Sequence, residues 1–219
     1  MVEIVLAQLV AVFDLGGPVV VLLMVVSVLT LAVVLYKLWQ FSTAHVGTHA
    51  ALRAAVLAWD AGDRAAAVAE LARSKSYLAP VVAAAFESTA PNKDRLFAMA
   101  EERFSKLERG FRFLDSVVQL SPLLGLFGTV LGMIEAFQAL QAAGSQVDPS
   151  LLAGGIWVAL MTTAVGLVVA MPTSMILSWF EGRMDAERVE ADVFILTALS
   201  PSGHAQRTDT YAIGMPAHA

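Results

Sequence analysis

Three long apolar runs interrupt an otherwise mixed pattern of hydrophobic and polar positions. Leu15 to Tyr36 holds no charge between Asp14 and Lys37, and Ser116 to Ile134 holds none between Asp115 and Glu135. Pro149 to Phe180 holds none over 32 residues. A helix needs about 20 apolar residues to cross the hydrocarbon core of a bilayer, so all three qualify as spans. The third would be roughly 48 Å long at about 1.5 Å per residue, so it should protrude or tilt. The predicted fold class is an all-α integral membrane protein, with three transmembrane helices and a helical segment between the first and second. The predicted boundaries are an N-terminus over 1–14, a first span over 15–37 and a helical segment over 38–115. A second span over 116–141, a loop over 142–150, a third span over 151–180 and a helix and tail over 181–219 complete the chain.

Between the first two runs the period shortens to that of amphipathic helices. "HAALRAAVLAWDAG" predicts a helix closed by Gly62, where a C-terminal cap favours glycine. "DRAAAVAELARS" and "SYLAPVVAAAFES" predict two short alanine-rich helices. Pro91 and Asn92 break the pattern, with Asn92 placed as an N-cap. From Lys93, the apolar face of Leu96, Met99, Leu107, Phe111 and Leu114, with Arg103 on the same spacing, predicts a helix running nearly unbroken into the second span. A bend is expected near Pro122. "EGRMDAERVEADVFILTALS" predicts a further amphipathic helix, and from about Pro201 the chain loses periodicity and reads as a loose tail. There is no internal repeat.

Composition supports the membrane reading: 58% of residues are hydrophobic and 15% charged, against about 25% charged in ordinary soluble domains. The net charge of -5 says less than the placement of the basic residues. All 14 Lys and Arg lie between Lys37 and Arg112 or after Phe180. By the positive-inside rule the N-terminus and the 142–150 loop face outward, and the 42–112 segment and the C-terminus face inward. Lys37 and Arg112 are expected to snorkel at the inner rim. The N-terminus has no basic n-region and reads as retained.

Few residues offer catalytic chemistry. Without cysteine there is no disulfide, thiol catalysis or cysteine-ligated zinc. No Gly-rich loop ends in Lys-Ser or Lys-Thr to cradle phosphate. "HVGTH" sets His45 and His49 one helical turn apart without the glutamate of a zinc-protease helix, and they read as two surface histidines just inside the membrane. His204 and His218 fall in the tail. Basic and acidic residues are interspersed, which argues against nucleic-acid binding. The expectation is no enzyme, no cofactor and no metal.

The second and third spans carry more information. Gly125, Gly128, Gly132 and Ala136 form a small-residue stripe, with Thr129 beside it. Ala159, Thr163, Gly166, Ala170 and Ser174 form another. In lipid such stripes let helix backbones approach closely. Their threonines either bond back to their own helix or serve a shared polar path. Pro172 frees the carbonyl near residue 168 for a neighbour or water. Glu135 is the one ionisable residue inside a predicted span, near its outer end, and is either a functional carboxylate or a rim residue touching water.

"GLFGTVLGM" followed by "GGIWVALMTTAVGLVVAMP" resembles the two signature helices of the MotA/TolQ/ExbB proton-channel family. The layout of one span, a long inner segment, two spans and a short inner tail is similar to the ExbB/TolQ branch. The resemblance implies a homo-oligomer, a pentamer in the family, whose second and third spans line a pore in the bacterial inner membrane. It implies an ExbD/TolR-like single-span partner with a transmembrane Asp, and a TonB- or TolA-like envelope protein that receives the work. The family's pore threonines map to Thr129 and Thr163, with Thr162 and Glu135 as further candidates on the path. The small-residue stripes themselves assign Gly125, Gly128, Gly132 and Gly166 to helix packing, with Pro172 beside them.

Val158-Ala159-Leu160 stands where relatives often carry Glu-Ala-Leu. A threonine hydroxyl donates and accepts hydrogen bonds but does not ionise near neutral pH. Any titrating group at mid-membrane depth must then come from another chain. The expected function is a proton-channel subunit coupling the proton motive force to TonB-dependent transport or Tol-type envelope work. The alternative is a non-conducting membrane scaffold that tethers a single-span partner.

Overall fold

A computed structural model describes residues 2–88, 92–142 and 149–202. The expectations for Pro91, most of the 142–150 loop, His204, His218 and the tail lie outside them. The described residues form helices only: α1 Val2–Thr43, α2 Ala50–Asp60, α3 Arg64–Arg73, α4 Ala79–Glu87, α5 Lys93–Glu108, α6 Phe111–Ala142 and α7 Pro149–Leu199. Three stretches are long and apolar enough to cross a membrane, Gly17–Thr43, Phe111–Ala142 and Leu152–Leu199. The chain is an all-α protein with three spans. It divides into two compact units, residues 1–36 with 110–180, and residues 37–109 with 181–219.

The first unit contains most of the apolar sequence. Gly17 breaks α1 at φ 66°, ψ −166°, and Pro18 follows as the first residue of the apolar piece. Proline suits that position because its missing N–H would have no helical partner there. Leu123, Leu126, Phe127 and Val130 of α6 and Leu160, Val168 and Met171 of α7 are exposed. In water so continuous an apolar surface would be a liability; in hydrocarbon it matches its solvent. Where α6 begins and the apolar part of α7 ends, Phe111 and Phe180 stack with ring centroids 5.6 Å apart.

The second unit follows its local signals closely. Gly62 sits at φ 86° beyond α2, and its N–H donates to Trp59 O while that of Asp63 donates to Ala58 O. The Asp63 side chain then accepts from Ala66 N at 3.0 Å and starts α3. Asn92 accepts from Arg95 N at 3.2 Å and starts α5. Leu96, Ala100, Phe104 and Leu107 form the buried face of α5.

Three expectations require correction. The helix from Lys93 does not continue into the second span. It stops at Glu108, Arg109 turns extended, and Gly110 takes φ 98°, a conformation that glycine adopts without steric cost. Lys37 does not snorkel: it is 1% exposed, and its Nζ donates to Leu107 O and to Gln40 Oε1, both at 2.7 Å. Leu107 is in the last turn of α5, where carbonyls lack helical donors, so the ammonium helps to cap the end of that helix. Finally, His45 and His49 are not a surface pair on one helix. His45 lies in a turn at φ 55°, and His49 is 3% exposed at the N-cap of α2.

Candidate functional site

Within the first unit, α6 and α7 approach through their small residues, and the distances explain why those residues are small. A Cβ placed on Gly125 would lie 2.9 Å from Thr162 O and from Thr163 Cα. One on Gly128 would lie 2.6 Å from Thr162 Oγ1, and one on Gly132 3.0 Å from Ala159 Cβ. From the other side, a Cβ on Gly166 would lie 2.5 Å from Ser121 O. Gly155, which is absent from the sequence-derived stripe, abuts Ala136 in the same way. A Cβ would collide at Gly125, Gly128, Gly155 and Gly166 and crowd its neighbour at Gly132; Gly125 and Gly166 meet backbone, the others small side chains.

The three threonines occupy different environments along this seam. Thr162 is 2% exposed; its Oγ1 donates to Ala159 O at 2.7 Å and reaches Gly125 O across the contact at 3.0 Å. Thr129 is half-buried and donates to Leu126 O at 2.6 Å. Thr163 is half-buried, yet its Oγ1 is enclosed and has no hydrogen-bond partner in the protein. Ser121 Oγ, on the buried face of α6, is likewise enclosed and unpartnered. Glu135 is exposed and Val158 half-buried. Pro172 is also exposed and lines a cleft with Ser27, Thr30 and Thr173 rather than the α6–α7 seam. Ser174 is exposed, so the C-terminal end of the predicted α7 stripe leaves the contact. The structure therefore brings Thr162, Thr163, Gly125, Gly128, Gly132 and Gly166 together and leaves Glu135 and Pro172 apart from them.

The second unit encloses a separate polar cluster. His49 Nδ1 lies 2.9 Å from Ser76 Oγ, and His49 Nε2 lies 2.6 Å from Glu187 Oε2. Tyr77 donates its phenol proton to the same Oε2 at 2.7 Å, and Arg183 stands 3.5 Å from Glu187 Oε1. Burial pushes the Tyr77 phenol above its ordinary range, and its hydrogen bond to the Glu187 carboxylate pushes it further. The order serine, histidine, carboxylate is that of a hydrolase triad. Here Ser76 is 5% exposed and its oxygen accepts from Leu78 N at 3.1 Å, so no substrate carbonyl reaches it. The cluster joins α2, the turn before α4 and α7. Its sequence signal is nearly nil, since His49 and Glu187 lie 138 residues apart.

A family model for the MotA/TolQ/ExbB proton channel family matches residues 73–192, more than half of the 219-residue chain. The chain belongs to this family. That match takes in α5 and α6 and most of α7, including both helices of the seam. Among curated relatives, the Biopolymer transport protein exbB1 of Vibrio cholerae is 44% identical over 72 residues, 33% of this chain and 32% of that one. The Tol-Pal system protein TolQ of Haemophilus influenzae is 40% identical over 89 residues, 41% of this chain and 39% of that one. A protein described as an ExbB homolog in Methanothermobacter thermautotrophicus is 32% identical over 130 residues, 58% of this chain and 46% of that one. The chain thus spans less than half the length of each of these relatives. Both branch names recur among them, in keeping with the ExbB/TolQ side of the MotA/TolQ/ExbB family.

Proposed function

We propose that this chain is a subunit of an inner-membrane proton channel of the ExbB/TolQ type. In this reading α6 and α7 form part of the wall of a pore shared by several copies, a pentamer by family resemblance. The N-terminus faces the periplasm, and the 37–109 segment and the C-terminus face the cytoplasm. A single-span, ExbD/TolR-like partner brings the titrating Asp, and a TonB- or TolA-like envelope protein receives the work. Each proton crossing 100 mV supplies about 2.3 kcal/mol.

The observation that carries this reading is the enclosed, unpartnered hydroxyl of Thr163 within an apolar stretch. Leaving such a group unsatisfied costs about 1–3 kcal/mol. The neighbouring Thr162 meets its own need on the helix seam, whereas the enclosed Thr163 hydroxyl has none and must rotate outward before a partner carboxylate or water reaches it. A scaffold without conduction is the second reading, and Val158 in place of the family's common glutamate favours it.

Co-purification from native membranes with mass spectrometry identifies the partner and the stoichiometry. The purified complex is then placed in proteoliposomes and proton flux is followed with a pH-sensitive dye. Proton-specific flux that falls in Thr163→Val and persists in Thr163→Ser supports the channel. An intact complex with no flux above empty vesicles overturns the channel in favour of the scaffold.

A further inference from the structure

Beyond the uncharged run that ends at Phe180, α7 continues to Leu199 with apolar residues on two opposite faces. One face belongs to the core of the second unit, where Met184, Ala191, Phe194, Ile195 and Ala198 are buried. The other face points outward. Gly182, Ala186, Val189, Val193 and Leu196 follow one another at alternating steps of four and three residues, and all five are exposed. Val189, the most open of the larger ones, is 65% exposed. Alternating steps of four and three keep a stripe on one side of a helix, the spacing at which a second helix packs against it. Residues 181–192 include seven charged side chains, so this stretch lies in water rather than hydrocarbon. An open apolar stripe is unfavourable there and marks a surface that something covers.

The surrounding charges decide what covers it. Of the seven charged residues from Glu181 to Asp192, five are acidic. Both arginines are engaged within the unit: Arg183 pairs with Glu187, and Arg188 with Glu101, Glu108 and Asp185. Glu190 is paired with Arg53. Glu181, Asp185 and Asp192 are exposed along one edge of the stripe, and Asp185 reaches Arg188 only at 3.6 Å. A second copy of this chain fits poorly. Parallel α7 helices meeting through the stripe would set Asp185 of one beside Glu190 of the other, an acid beside an acid. A basic amphipathic segment fits on both counts, with apolar side chains for the stripe and Lys or Arg for the acidic edge.

We infer that the outward stripe of Val189, Val193 and Leu196, with its edge of Glu181, Asp185 and Asp192, is a docking surface for the basic inner flank of the single-span partner. The inference rests on the proposed membrane complex and names where that partner is held outside the bilayer. The positive-inside rule supplies the charge, because a membrane protein carries its Lys and Arg in the residues beside its spans on the cytoplasmic side. The stripe starts at Gly182, two residues after the uncharged run, and in the proposed orientation it faces the same compartment. The apolar stripe would hold the flank, and the row of carboxylates along one edge would fix its direction.

The test uses the complex in native membranes. A photo-crosslinking amino acid is placed at Val193 on the stripe and, as a control, at Val68, which is exposed on α3; the adducts are mapped by mass spectrometry. The expected result is an adduct from Val193 to a Lys- or Arg-bearing segment beside the span of a single-span protein, and none from Val68. The same adduct from both positions, an adduct from Val193 to a second copy of this chain or to an acidic segment, or no adduct from Val193 overturns the inference. Asp185→Lys/Asp192→Lys should lower recovery of the partner about fivefold at low salt, the scale of one or two exposed ion pairs, with thermal stability unchanged. Added salt should narrow the difference from wild type, and acidic residues introduced into the partner's flank should restore recovery. Recovery that both charge reversals leave unchanged overturns the inference. In each of these cases the channel stands if the wild-type complex conducts protons. A wild-type complex without a single-span protein overturns the partner reading and this inference together.

Discussion

Thr162 Oγ1 and Gly125 O face each other across the α6–α7 seam at 3.0 Å, a separation that exists only because residue 125 has no side chain. The contact combines close backbone approach with a hydroxyl whose one proton is shared between Ala159 O, at 2.7 Å, and Gly125 O across the seam. Either alone is weak in a membrane, where lipid tails compete equally well for apolar surface.

Thr162 and Thr163 should therefore respond differently to loss of the hydroxyl. Thr162→Val removes a bonded donor and is expected to lower stability by about 1 kcal/mol. Thr163→Val removes a hydroxyl with no protein partner and should leave stability nearly unchanged while lowering proton flux. Thermal unfolding in detergent and flux in proteoliposomes, measured on both variants, separate the two roles.

Neighbouring glycines at the start of α7 should also diverge. A Cβ on Gly154 meets nothing within 4 Å, whereas one on Gly155 collides with Ala136. Gly154→Ala is expected to stabilise by about 0.5–1 kcal/mol through lower chain entropy. Gly155→Ala should cost about 1–3 kcal/mol through overpacking. Denaturation in one detergent compares them directly, and equal shifts would contradict the packing described.

Glu187 anchors the second unit. Glu187→Ala would leave His49 Nε2 and the Tyr77 phenol without their acceptor in a site where the His49 and Glu187 side chains are each 2% exposed. The expected loss is about 3–5 kcal/mol, the range for breaking a buried pair by removing one partner. Trp59 reports on the same unit, since its ring stacks on Phe86 at 3.9 Å and its Nε1 donates to Ala198 O. Loss of the folded Trp59 fluorescence at lower denaturant is the expected readout.

Tyr77 sets an alkaline limit. Its folded phenol holds its proton more tightly than an exposed one, burial being the larger cause and the Glu187 hydrogen bond the next. A raised folded pKa contributes stability that is complete below the unfolded value, about 10 for tyrosine. That contribution is lost as pH rises above it, because the unfolded chain then ionises while the folded one resists. The chain has three tyrosines. Absorbance titration near 295 nm should show one ionising last, and that step should vanish in Tyr77→Phe. Stability of the variant should also fall less steeply above about pH 10.

Much of the fold was legible because its signals are local. Uncharged runs marked the three spans, Gly62 marked the end of α2, and Asn92 marked the start of α5. The break at Gly110 was less visible, because the apolar spacing from Leu96 to Leu114 continues across it. Only the positive φ of Gly110 and the capping of Leu107 O by Lys37 disclose it. Lys37 was misread for a related reason: a lysine at the end of an apolar run looks the same whether water or a distant carbonyl receives it. Gly155 stands four residues before Ala159 on the same spacing and was missed only because the stripe was begun at Ala159.

The sequence by itself determined the class of solvent, the number of spans and the small-residue character of α6 and α7. These depend on composition and on neighbours within a turn or two. The tertiary structure decided which hydroxyls were already engaged. Thr162 is held by Gly125, while Ser121 and Thr163 are enclosed without a partner. It also decided that His49 is a buried partner of Glu187 rather than a surface residue. These outcomes depend on groups that the chain brings together from 37 and 138 residues away, and no local periodicity encodes a contact at that range.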